Sequence, residues 1–173
     1  MTRRTIWWTI PLLAMIAVSL FAAPALAQSQ RTVTGAAAGV YPSGTTIKGG
    51  GSLSALKGVT LTSLTFGTGV AIPGDGTANG AFESTLVGTS ANGTPRNIVV
   101  EGNATSGSGQ VGGPANYTGI SRVNPGDGTP TLTGVPFAVA VARLPNGQWG
   151  LALTLGSTGL PAATVTNGSV TVK

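Results

Sequence analysis

In Gln148-Trp149-Gly150-Leu151-Ala152-Leu153-Thr154-Leu155 the large side chains fall at every second position, which is the period of a strand with one buried face. The stretch before it behaves the same way, with Val135, Phe137, Val139 and Val141 alternating against Ala138, Ala140 and Ala142. Between the two lies Pro145-Asn146-Gly147, and Asn-Gly accepts the positive φ that a tight turn demands, so these segments are predicted to form a hairpin. A second Asn-Gly, at Asn167-Gly168, separates residues 164–166 from 169–172. It predicts a short terminal hairpin.

Weaker strands are expected at 32–36, 45–48, 59–66, 81–87, 97–102 and 116–123. In Val59-Thr60-Leu61-Thr62-Ser63-Leu64-Thr65-Phe66 the apolar spacing slips by one residue at Thr62-Ser63. A β-bulge there returns Leu64 and Phe66 to the buried face. The single helical turn expected is at 52–57, where Leu53 and Leu56 are three apart and glycines confine the segment on both sides. About nine or ten short strands separated by Gly, Pro and Asn predict an all-β fold. The expectation is an antiparallel β-sandwich, immunoglobulin-like or jelly-roll-like. Its expected core is Leu61, Phe66, Phe82, Val99, Phe137, Val139, Trp149, Leu151 and Leu153.

The opening of the chain reads differently. Met1-Thr2-Arg3-Arg4 is basic, residues 6–23 are almost wholly apolar, and Ala25-Leu26-Ala27 is a small-x-small triplet. This is the pattern of a helical signal peptide over residues 1–27, cleaved between Ala27 and Gln28. It predicts an exported bacterial protein, periplasmic, cell-surface or extracellular, with no membrane span after cleavage. Residues 28–173 then make one sandwich domain, and 146 residues suffice for a core. The chain has no cysteine, so packing and sheet hydrogen bonds must stabilise that domain without disulfides.

Net charge is +5 for the chain and +3 once Arg3 and Arg4 are removed. The remaining basic residues, Arg31, Lys48, Lys57, Arg96, Arg122, Arg143 and Lys173, are never adjacent, whereas nucleic-acid binding wants a clustered basic face. Nucleic acid is therefore not an expected partner.

Histidine and cysteine are both absent, which removes thiol nucleophiles, serine–histidine dyads and the ordinary zinc sites. A carboxylate pair is still available, because Glu83 and Glu101 lie on strands that the Asn92-Gly93 turn can pair. The plainer reading is two glutamates on solvent-facing positions. Gly107-Ser108-Gly109-Gln110-Val111-Gly112 has dinucleotide-fingerprint spacing, but Gly113-Pro114 follows where a helix is required. Asp75-Gly76-Thr77-Ala78-Asn79-Gly80 imitates the start of a calcium loop, yet Leu86 occupies the position that needs a bidentate glutamate. No catalytic residue, cofactor or metal is expected.

Pro73-Gly74-Asp75-Gly76-Thr77 recurs as Pro125-Gly126-Asp127-Gly128-Thr129, each copy followed by a phenylalanine (Phe82, Phe137) and then an Asn-Gly. Between the copies, residues 103–114 read as a Gly/Ser-rich loop. The function expected is a non-catalytic structural or interaction module of the cell envelope or extracellular space, its partners other envelope proteins or glycans. The alternative is a module that binds a glycan or small polar ligand through the 103–114 loop and Tyr117, an aromatic flanked on its face only by Ala115 and Gly119. The uncharged run 32–40 is expected to be an edge strand, or one donated to a second subunit.

Overall fold

The computed structural model describes residues 29–173, so the signal peptide expected at 1–27 and its cleavage point at Ala27–Gln28 lie outside the described residues. Alternation carries most of the described chain into strands: β1 (Arg31–Val40), β2 (Thr60–Ile72), β3 (Thr77–Thr89), β4 (Pro95–Gly109), β5 (Ala115–Asn124), β6 (Leu132–Arg143), β7 (Trp149–Leu155), β8 (Thr158–Gly159) and β9 (Ala163–Val172). A 3-10 turn at Gly51–Leu56 joins β1 to β2 and buries Leu53 and Leu56, as their spacing predicts.

Every pairing is antiparallel, and β1 to β7 each pair with the next strand in sequence. The strand β7 then pairs with β9, and β9 with β1, so the ladder returns to its start. Eight strands thus form one closed up-and-down sheet, with the two-residue β8 folded back on the end of β7. This corrects the expected sandwich. A strand with one buried face serves either architecture; what decides is the pairing of β9 with both β7 and β1, which leaves no pair of stacked sheets.

The closed sheet is filled by its own side chains, as an eight-stranded barrel can be. Phe82 stacks on Phe137 with ring centroids 5.9 Å apart, and Tyr117 meets them edge-on at 6.1 and 6.3 Å. Leu64, Leu86, Ile98, Val100, Val139, Leu151, Leu153 and Leu155 are buried in the same core. Two members of the expected core differ. Val99 faces outward because β4 turns Ile98 and Val100 in, and Trp149 is only partly buried at one rim, beneath the Arg143 guanidinium at 4.4 Å.

The bulge predicted near Thr62-Ser63 is present as a register shift between Leu61 and Ser63, and Leu64 and Phe66 are buried beyond it. The 45–48 segment makes only an isolated bridge, Thr46 to Thr60. Asn167-Gly168 is not a turn: β9 runs straight through it, Gly168 (φ +85°) pairing with Ala37 and Asn167 with Ala38, and the one extra residue, Thr166, is absorbed as a bulge before Val165 pairs with Gly39. The 32–40 strand is neither an edge nor a donated strand, since β2 and β9 flank it. Its glycines permit this, because a Cβ on Gly39 would lie 2.8 Å from the Thr164 carbonyl oxygen.

Candidate functional site

Tyr117, the residue expected to be exposed for ligand, is 0% accessible and sits inside the barrel. Its hydroxyl shares a 2.8 Å hydrogen bond with Thr68 Oγ1. The small neighbours that suggested exposure have the opposite meaning here: Ala115, Gly119 and, across the ladder, Gly107 make room for the ring. The Gly/Ser-rich loop expected at 103–114 is largely strand. Gly109 still pairs with Ala115, and only a tight turn remains, closed by the Gln110 amide donating to the Pro114 carbonyl at 2.9 Å. Tyr117 therefore offers no surface to a glycan, and what remains of the loop is an exposed turn at the end of the β4–β5 hairpin.

The two Pro-Gly-Asp-Gly-Thr copies fold alike. Asp75 Oδ1 accepts from the Thr77 amide at 2.9 Å and its hydroxyl at 2.7 Å, and Asp127 Oδ1 accepts from Thr129 at 3.0 and 2.5 Å. The Thr77 hydroxyl, then its amide, hold the Asp75 carboxyl below its ordinary range. Thr77 and Asn79 belong to β3, with Asn79 exposed and opposite Ala71, so the calcium-like spacing is that of a turn entering a strand. Asp127 also pairs with Arg96 at 2.5 Å, the one ion pair among the described residues.

What the outer wall does bring together is a row of charges. Glu83 on β3 lies directly opposite Glu101 on β4, the pairing the Asn92-Gly93 turn predicts, and Glu101 lies directly opposite Arg122 on β5. All three side chains are exposed, and no ion pair forms between Glu101 and Arg122. Glu83 is also opposite Gly67 on β2, where nothing stands within 4 Å of a Cβ position.

Shallow depressions meet at this row. One, of about 330 Å³, lies over Thr65, Gly67, Glu83, Thr85 and Glu101. A second, of about 530 Å³, runs past Glu101, Asn103, Ile120 and Arg122 to Gly134. Gly134, at φ +70°, belongs to a bulge in β6 opposite Arg122, where Ser121 pairs with Val135 but Val123 with Leu132.

Chemically the row offers two carboxylates and one guanidinium on an exposed wall. That suits ion pairing and hydrogen bonding with another surface. Among the described residues no cluster of three His, Cys, Asp or Glu is placed to hold a metal ion. The sequence reading missed Arg122 as a member of this row. Its signal was the parity of β5, which becomes readable only once the β4–β5 turn is placed at 110–114. Comparison with protein-family models, with curated proteins and with solved structures finds no match for this chain.

Proposed function

We propose that the protein is a non-catalytic, exported structural or interaction module of the bacterial envelope or extracellular space, acting through the outer wall of its barrel. The observation that carries this reading is the filled interior. Phe82, Tyr117 and Phe137 occupy the space in which a ligand-binding barrel of this size holds its cargo. The wall, not the lumen, is left for recognition.

The face that meets solvent supports a barrel standing in water. Thr65, Thr85, Glu83, Glu101, Asn103, Thr118 and Arg122 point outward while Leu, Val and Phe turn in, the reverse of a transmembrane barrel. Among the described residues no helix is long and apolar enough to cross a membrane. Export rests on the basic, apolar and small-x-small succession in residues 1–27.

The test is to express the full chain in a bacterium, fractionate the cells, sequence the mature N-terminus and assay the product against a broad hydrolase panel. A mature form beginning at Gln28 outside the cytoplasm, without turnover, is the expected result. Turnover that disappears in Glu83→Gln or Glu101→Gln, or a chain retained in the cytoplasm, overturns the reading.

A further inference from the structure

We propose that the β4–β5 wall is the docking surface for a second copy of this chain, an inference that rests on the interaction-module reading above. Glu101 and Arg122 are cross-strand neighbours of opposite charge, both exposed, and they form no ion pair with each other. A two-fold axis running along the strands between β4 and β5 changes that situation. It sets each residue of one strand against its ladder partner on the other copy, because an isologous contact pairs residue i with j and j with i. Glu101 then meets Arg122 of the other copy, and Arg122 meets Glu101, giving two reciprocal ion pairs.

The neighbours fit the same operator. Asn103 pairs with Ile120 in the ladder, so across the axis each Ile120, 50% exposed on this wall, is covered by Asn103 of the other copy. Glu83 lies one strand further out and meets the β6 bulge, where Gly134 carries no side chain and nothing stands within 4 Å of its Cβ position. That vacancy admits the Glu83 carboxylate. An axis placed between β3 and β4 instead sets Glu83 against Glu101 twice, and like charges in apposition reject that register.

Single and mixed charge reversals test this with the intact mature domain. Sedimentation velocity over a concentration series is expected to show a wild-type dimer that weakens as salt is raised. Arg122→Glu and Glu101→Arg are each expected to weaken self-association about tenfold or more, since two exposed ion pairs become two repulsions. Mixing the two variants should restore a heterodimer of wild-type strength, a result that a purely intrachain effect of either substitution cannot produce. Circular dichroism on each variant checks that the barrel persists. A wild-type protein that stays monomeric, single variants that dimerise like wild type, or a mixture that does not recover each overturns the proposal. None of those outcomes touches the non-catalytic reading, which fails instead on substrate turnover.

Discussion

Gly102 lies so close to the ring of Phe137 that a methyl group on it would sit 2.6 Å from Cε1. Gly119 is in a similar position, 2.9 Å from the same atom. The ring trio fits inside the barrel because β4 and β5 present hydrogen atoms to Phe137 at these positions.

Gly102→Ala is therefore expected to overpack the core and lower stability by about 1–3 kcal/mol. Phe137→Leu alone should also destabilise, through the cavity it leaves. In the double variant the new methyl occupies part of that space. Denaturant midpoints should show the double variant more stable than the sum of the single effects predicts; simple additivity would mean the two residues do not share this volume.

Tyr117 combines a buried ring with a buried hydrogen bond to Thr68, and two substitutions separate these contributions. Tyr117→Phe removes the bond and leaves Thr68 Oγ1 without it, an expected loss of about 1 kcal/mol. Tyr117→Ala removes the ring as well, with an expected loss of about 3–5 kcal/mol. Equal, small losses in chemical denaturation would place the tyrosine at the surface and contradict the packing.

Alkaline titration reads the same interior. The chain has two tyrosines, and burial pushes the hydroxyls of both Tyr41 and Tyr117 above their usual ionisation range. An unfolded tyrosine ionises near pH ~10. With the folded value raised, this contribution to stability is complete below about pH 10 and is lost as pH climbs from there towards the folded value. Near-ultraviolet tyrosinate absorbance should rise together with loss of the circular dichroism signal. A smooth titration centred near pH ~10 with the fold intact would show that the rings are accessible.

Gly168 tests the passage of β9 through Asn167-Gly168 as a strand paired with β1. Its φ of +85° is a left-handed conformation, and a Cβ there would strike the Ala36 carbonyl oxygen and the Ala37 backbone on β1. Gly168→Ala should cost at least about 1 kcal/mol from backbone conformation alone, measured by thermal or denaturant unfolding. If Asn167-Gly168 were instead an open hairpin turn, Asn167→Ala would be as harmful as Gly168→Ala.

The features legible in the sequence are those set by near neighbours. The slip at Thr62-Ser63, the three-residue spacing of Leu53 and Leu56, and the Asn146-Gly147 hairpin each follow from side chains a few positions apart. The Glu83–Glu101 pairing was legible for the same reason, because one short turn sets its register. Closure of the sheet was not. It depends on β9 meeting β1 across more than a hundred residues, and the small side chains of Gly35 and Gly39 that allow the contact leave no periodic mark. Tyr117 shows the remaining ambiguity: small residues beside an aromatic describe an open surface and a nest for the ring equally well. Only the opposing strand tells them apart.

The ends of the described barrel meet at one rim, where the Thr32 amide donates to the Lys173 carbonyl at 2.9 Å and the Lys173 amide to the Thr32 carbonyl at 3.0 Å. Because β1 and β9 are antiparallel neighbours, tension applied through these two ends would peel their hydrogen bonds one after another instead of loading the row at once. Mechanically this is a zipper pulled from its open end, and it yields at low force. A barrel so connected serves badly as a link in a stretched chain. Tethered by one terminus alone it bears no such load, and its charged wall stays free to meet a neighbour.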